Sequence, residues 1–141
     1  HNQCAGWGGD MVAAEDGSLY LFTQRSHVYK IDTDTRVAKY LGRLKGLPEN
    51  FTSNGAAVDD NGDVLISCAT GNMPLYRVNL KTLDVSPEPG ELKHNLSDMA
   101  SGNLAFRKRP AGGGRPGIQN FGSCNLKLSV YPNPVTENRL N

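Results

Sequence analysis

An internal repeat of about 45 residues constrains the fold of this chain more than any other feature of its sequence. An offset of 45 places Gly17 on Gly62, and apolar residues then alternate in the same phase in both copies. The apolar pairs that repeat are Leu19 with Leu21 and Val64 with Ile66. Each glycine ends an acidic turn, and Asp-Gly or Asn-Gly between apolar runs indicates a hairpin because the tight turn needs positive φ. The repeat therefore predicts the same hairpin twice.

The repeat continues downstream with a slightly larger offset. Residues 28–32 align with residues 75–79 at an offset of 47, which predicts a two-residue insertion in a loop near 69–73. Loop tips are where folded chains tolerate insertions. Thr23 falls on Cys68, so Cys68 is expected to be a small buried residue. A further short strand follows in each copy, over residues 37–41 and about 84–86, which gives four short strands per copy.

Four short strands in each repeat of about 45 residues are typical of a β-propeller blade. A β-sandwich also has short strands, but it does not require the same turns at a fixed period. We therefore predict an all-β chain in which residues 1–106 are part of a propeller. The expected parts are four-stranded antiparallel blades at about 10–50 and 54–92, and an extra strand at 97–106 that begins a third copy and closes a blade supplied by an earlier part of a longer protein.

The C-terminal segment differs in composition from the repeats. Residues 107–125 are rich in Gly, Pro and Arg, which predicts a flexible linker. In the segment 126–141, Leu126, Leu128 and Val130 alternate with polar residues and indicate a strand with one apolar face. Two prolines around an asparagine then fix φ twice and remove amide donors, so this strand must end there.

The sequence Leu-Ser-Val-Tyr-Pro-Asn-Pro-Val at residues 128–135 resembles the opening of the C-terminal sorting domain of type IX secretion system cargo. The resemblance implies that residues 126–141 start a small β-sandwich domain. It also implies a secreted or cell-surface protein, exported through the periplasm and outer membrane, with the translocon and an outer-membrane shuttle protein as partners. The implied sorting-signal residues are Tyr131, Pro132, Asn133, Pro134 and Val135.

Composition excludes two classes of partner. The formal net charge of +1 gives no general attraction to nucleic acid or anionic lipid, and no apolar run reaches the roughly 20 residues that span a bilayer. Residues 1–4 read as an internal or processed end, so any signal peptide lies outside this sequence. The sequence has three cysteines, Cys4, Cys68 and Cys124. Two states are open, either one disulfide with one free thiol or three free thiols.

No motif of a catalytic, cofactor or metal site is convincing in this sequence. Asp59, Asn61 and Asp63 resemble the start of a calcium loop, but the glycine falls at its fourth position, and a hairpin turn explains all three residues. A basic cluster at residues 107–115 lacks interleaved aromatic residues, and we interpret it as solvated linker rather than a nucleic-acid arm.

The expected function is therefore non-enzymatic binding of protein or glycan through loops at one end of a propeller. One alternative is a propeller enzyme, a lyase or hydrolase, with its site in the central channel. Arg25, His27 and Asp32 are the residues to inspect for that alternative. A second alternative is a passive cargo captured by the secretion translocon.

Overall fold

Eight short strands form the regular secondary structure of the residues that the computed structural model describes, 8–90 and 95–108. The first sheet contains β1 (Gly9–Ala13), β2 (Leu19–Thr23), β3 (His27–Asp32) and β4 (Val37–Arg43). The second sheet contains β5 (Gly55–Val58), β6 (Val64–Ser67), β7 (Tyr76–Val78) and β8 (Val85–Pro87). Strands follow chain order in both sheets, and neighbours are antiparallel. The prediction of an all-β chain with two four-stranded antiparallel sheets is confirmed.

The first hairpin turn has the same geometry in both sheets. The amide of Gly17 donates to the carbonyl of Ala14 at 3.0 Å, and the amide of Gly62 donates to that of Asp59 at 3.1 Å. The two glycines have φ of 80° and 81°, in the left-handed region that glycine enters without a Cβ clash. The hairpin that the sequence predicts twice is therefore present twice, at an offset of 45.

The turn between the third and fourth strands also repeats, now at an offset of 47. The Oδ1 atom of Asp32 accepts two turn amides at 2.8 and 3.0 Å, and the Oδ1 atom of Asn79 accepts two at 2.9 and 3.3 Å. Arg36 and Leu83, each four residues further on, have φ of 59° and 62°. A side-chain oxygen that organises the turn thus leads into the same left-handed residue in both copies.

The change of offset lies in the loop between β6 and β7. Leu21 pairs with Tyr29 across β2 and β3, and Ile66 pairs with Tyr76 across β6 and β7, which leaves two more residues between the second pair. Cys68 at the start of this loop is 1% exposed, and its counterpart Thr23 is also buried. Both predictions about this region are confirmed.

Each sheet has two faces, which we call front and back. The front face of the first sheet has two cross-strand rows, Met11–Leu21–Tyr29–Tyr40 and Ala13–Leu19–Ile31–Ala38. The equivalent front face of the second sheet has the rows Ala56–Ile66–Tyr76–Pro87 and Val58–Val64–Val78–Val85. The back face of the first sheet has Val12, Tyr20, Phe22 and Val28. Side chains on opposite faces alternate along each strand.

The hydrophobic core joins the back face of the first sheet to the front face of the second. Phe22 on that back face is 1% exposed, and Ile66 on that front face is 0% exposed; both belong to one buried cluster. Because equivalent faces of the two sheets point the same way, the sheets pack head to tail rather than face to face. The front face of the first sheet stays exposed or half-buried throughout.

The segment at residues 95–108, which we call the edge segment, differs from the extra strand predicted at 97–106. It forms no continuous strand, and the hydroxyl of Ser101 accepts the amide of Val58 at 2.9 Å, while the amide group of Asn103 donates to the carbonyl of Val58 at 3.0 Å. Side chains, rather than backbone groups, thus occupy the free edge of β5. A backbone ladder cannot form at the same positions.

The later residues of the edge segment contact the free edge of β1 instead of that of β5. The amide of Ala105 donates to the carbonyl of Ala13 at 2.9 Å, and its carbonyl accepts the amide of Glu15 at 3.1 Å, which makes one isolated parallel bridge. The edge segment therefore contacts both sheets through individual hydrogen bonds rather than through a continuous ladder. No helix able to cross a bilayer occurs within residues 8–90 and 95–108.

Candidate functional site

A pocket of about 560 Å³ lies where the β2–β3 loop meets the connection from β4 to β5. We call it the loop pocket. Its lining residues are Gln24, Arg25, His27, Arg43, Glu49, Asn50, Phe51 and Thr52. These residues come from the β2–β3 loop, the start of β3, the end of β4 and the β4–β5 connection, so the pocket brings together parts of the chain that are distant in sequence.

Buried polar contacts hold the β2–β3 loop in place. The hydroxyl groups of Ser26 and Ser53 lie 3.0 Å apart and are both buried. Ser26 has φ of 61°, and its carbonyl accepts the amide of Leu44 at 2.9 Å. The neighbouring amide of Ser53 donates to the carbonyl of Gln24 at 3.1 Å. Three hydrogen bonds, two to Ser53 and one to Leu44, thus hold the loop that presents Arg25.

Aromatic residues support the loop pocket on two sides. The Nδ1 atom of His27 lies 2.9 Å from the hydroxyl of Tyr40, and the two rings are 5.7 Å apart. Phe51, which is 5% exposed, packs edge-on against Tyr76 with ring centres 5.1 Å apart. Packing on both sides limits the rotamers of His27 and Phe51, which preorganises the pocket for a ligand.

The charge of the loop pocket is mainly positive. Arg25 and Arg43 are exposed at its rim, and Glu49 contributes the opposing charge. A guanidinium group binds carboxylate, sulfate or phosphate through paired hydrogen bonds in one plane. The side-chain amides of Gln24 and Asn50, which also line the pocket, are groups that suit sugar hydroxyls. The arrangement is therefore suited to binding a polar or anionic group.

The three residues named for the enzyme alternative do not form one site. Arg25 and His27 line the loop pocket, whereas Asp32 lies at the other end of β3. There, hydrogen bonds from Thr35 and Asp34 lower the pKa of Asp32, and its carboxylate organises the β3–β4 turn. The structure therefore separates Asp32 from Arg25 and His27.

A second cleft, of about 680 Å³, lies at the opposite end of the second sheet and contains Arg77. The Arg77 guanidinium contacts Asp59 at 2.7 Å, Asp63 at 2.8 Å and Glu88 at 3.0 Å. Burial raises the pKa of Asp59, but hydrogen bonds from Arg77 and from turn amides outweigh it and hold the pKa below its usual range. The side-chain bonds of Glu88 and Asp59 in turn raise the pKa of Arg77.

The turn interpretation of Asp59, Asn61 and Asp63 agrees with this geometry. The Oδ1 atom of Asp59 accepts the amides of Asn61 at 2.8 Å and Asp63 at 3.0 Å. Lys30, which is 47 residues before Arg77, makes the matching contact to Asp16 at 2.7 Å. The cluster is thus a repeated structural feature, a cation of the third strand paired with an acid of the first turn.

Sequence reasoning missed Arg77 and the residues that complete the loop pocket, Arg43, Glu49 and Phe51. The alignment of Lys30 with Arg77, each following an acidic turn, was a signal for the first. No local signal existed for the pocket, because its residues come from separate strands and a connection.

The chain matches no protein-family model, and neither a curated protein nor a solved structure matches it. The predicted sorting-signal residues Tyr131 to Val135, the linker beyond residue 108, and two of the cysteines lie outside the described residues. Cys68 is a free thiol, buried beside Thr52 and Thr70. The geometry of residues 8–90 and 95–108 is accordingly what supports a function.

Proposed function

We propose that this chain is part of a secreted or cell-surface β-propeller that binds a polar or anionic ligand through the loop pocket. The observation that carries the proposal is the head-to-tail packing of two equivalent four-stranded sheets. Sheets that pack this way repeat the same rotation at every step, which is how a propeller ring is built. Loops of one kind then gather at one end of the ring.

A binding role is favoured over catalysis by the contents of the loop pocket. Arg25 and Arg43 suit recognition of an anion, and the His27 Nδ1 atom is already engaged by Tyr40. A general acid or base must lie within hydrogen-bond reach of the reacting group. The candidate Asp32 lies at the far end of β3.

Export by the type IX secretion system is the second part of the proposal. Its support is the resemblance of residues 128–135 to the start of a sorting domain, following a Gly/Pro/Arg-rich segment. Under this proposal, the translocon and the outer-membrane shuttle protein bind Tyr131 to Val135. The propeller is then the cargo, and the loop pocket acts after export.

The binding role is tested with arrays of acidic peptides and of sulfated and carboxylated glycans. We expect retention by anionic members of the array, and at least tenfold weaker binding after Arg25→Ala combined with Arg43→Ala, since each lost charge-assisted bond costs about 1.5–3 kcal/mol. Lys39→Ala is the matched control, because Lys39 is an exposed cation of β4 that does not line the loop pocket. Unchanged binding by the double variant would contradict the proposal.

Export is tested with the full chain placed behind a cleavable leader, in a bacterium that has a type IX translocon and in its translocon-deficient mutant. We expect secretion only with the translocon, and periplasmic retention after Pro132→Ala with Asn133→Ala. Pro116→Ala, a change at another Gly/Pro-rich position, should leave secretion unchanged. Equal secretion by all variants would contradict the sorting role.

A further inference from the structure

The front face of the first sheet is an apolar surface on which no sheet formed by residues 8–90 and 95–108 packs. Its two rows run across all four strands and contain Met11 and Tyr40, each 50% exposed, beside half-buried Leu and Ile residues. Contiguous apolar surface of this kind marks an interaction site in a soluble protein.

The second sheet shows what covers such a face. Its equivalent rows, at positions 45 and 47 residues later, are buried along β5, β6 and β7. Ala56 is 2% exposed, whereas its counterpart Met11 is 50% exposed. The covering surface is the back face of the first sheet, with Tyr20 and Phe22 on its second strand.

We infer that the front face of the first sheet is the docking surface for the back face of another four-stranded sheet of the same repeat, from an earlier part of the same polypeptide. The inference rests on the propeller proposal and identifies the surface where the ring continues. The occupant's second strand presents apolar side chains at the positions of Tyr20 and Phe22.

The opposite side of the pair of sheets does not offer the same surface. The back face of the second sheet has Arg77 beside Leu65, and Arg77 is tied to three carboxylates. The edge segment already approaches this side, where the hydroxyl of Ser67 donates to the carbonyl of Leu96 at 3.0 Å. A second copy of this chain therefore lacks a free apolar back face to fill the front face.

The repeat itself provides the experiment. A copy of residues 8–53 is fused directly ahead of Gly9, because Gly9 is the counterpart of Asn54 and the join then reproduces the natural connection. We expect the extended protein to melt roughly 5 °C or more above the 141-residue chain, as an added sheet covers the front face.

The deciding measurement is a single substitution made in both proteins. Met11→Lys in the original first sheet should leave the folding equilibrium constant of the 141-residue chain unchanged within about twofold. In the extended protein, it should lower that constant roughly tenfold or more, because the lysine would be buried without a partner. Val37→Lys, at an apolar residue that is 60% exposed outside the front face, should be neutral in both.

Three results would overturn the inference. Equal loss in both proteins would mean that the front face is already covered, and no loss in the extended protein would mean that the added sheet docks elsewhere. Conversion of a dimeric 141-residue chain to a monomer by Met11→Lys, measured by sedimentation, would assign the face to self-association. Export and ligand binding have separate readouts, so failure of the proposed function is distinguishable from failure here.

Discussion

The carboxylate of Asp10 in β1 accepts a hydrogen bond from the backbone amide of Ala56 in β5 at 2.7 Å. The two residues are 46 positions apart, and this contact joins the first strand of one sheet to the first strand of the next. The amide of Ala56 points to the free edge of β5, where none of the eight described strands pairs with it. A single side chain thus replaces a missing strand partner.

Removing this acceptor should destabilise the chain. Asp10→Ala leaves the amide of Ala56, a residue only 2% exposed, without its partner, which costs about 1–3 kcal/mol of unfolding free energy. Asp10→Asn keeps an acceptor oxygen and should lose less than half as much. Urea unfolding measures both, with Asp34→Ala at an exposed turn residue as the control, expected within about 0.5 kcal/mol of wild type. Equal stability of the Ala and Asn variants would show that the contact does not matter.

The two turn glycines form a matched pair for a test of the edge segment. A Cβ on Gly17 would meet nothing within 4 Å, whereas one on Gly62 would lie 2.7–2.8 Å from the backbone of Arg107. Both have positive φ, so Gly17→Ala should cost about 1–2 kcal/mol from the backbone alone. Gly62→Ala should cost clearly more and should speed hydrogen exchange of the Phe106 amide, which donates to the Gly62 carbonyl at 2.9 Å. Equal costs and unchanged exchange would contradict this contact.

Local turn chemistry is the part of the fold that the sequence predicts well. A glycine at the end of an acidic turn and a side-chain oxygen at Asp32 or Asn79 each determine a turn through atoms a few residues apart. The strands between the turns follow from their alternating apolar residues. Both sheets could therefore be predicted, including the insertion before Tyr76.

The choice of buried face could not be predicted in the same way. Residues 19–22 read Leu-Tyr-Leu-Phe, which is apolar on both faces, and the sequence favours neither. The structure buries Tyr20 and Phe22 because the next sheet packs on that side. The loop pocket could not be predicted either, since the sequence positions of Arg25 and Phe51 do not show that the two residues line one pocket.

The Arg77 cluster predicts a stability difference that depends on pH. Arg77→Met should lower the unfolding free energy at pH 7 by about 1–2 kcal/mol, a modest value because the side chain is 28% exposed. Asp59 has a pKa below its usual range, so its contribution is present above pH 4 and is lost as the pH falls through the lowered pKa. The wild type and the variant should therefore converge in acid.

Urea unfolding at pH 7, 5 and 3 measures this convergence. Arg77→Lys is the informative companion, since lysine occupies the equivalent position at Lys30 but cannot bind Glu88 through two nitrogens as Arg77 does. We expect it to lie between the wild type and Arg77→Met at pH 7. A difference that stays constant from pH 7 to pH 3 would mean that packing of the arginine stem, rather than its charge, stabilises the sheet.

Equivalent positions in the two sheets should respond differently to the same substitution, because the part of the chain that the structure describes covers only one of the two front faces. Ile66→Ala removes a side chain that is 0% exposed and should cost about 2–5 kcal/mol. Leu21→Ala, at the equivalent half-buried position on the open front face, should cost roughly 1 kcal/mol. Phe22→Ala, at the adjacent residue that is 1% exposed on the back face, should again lower the unfolding free energy by about 3–5 kcal/mol.

Urea unfolding measures all three variants. Ile66→Val, expected to cost about 0.5–1.5 kcal/mol, replaces Ile66→Ala if that variant does not fold. Equal costs at Leu21 and Ile66 would mean that the two front faces are equally buried, and head-to-tail packing would then be wrong.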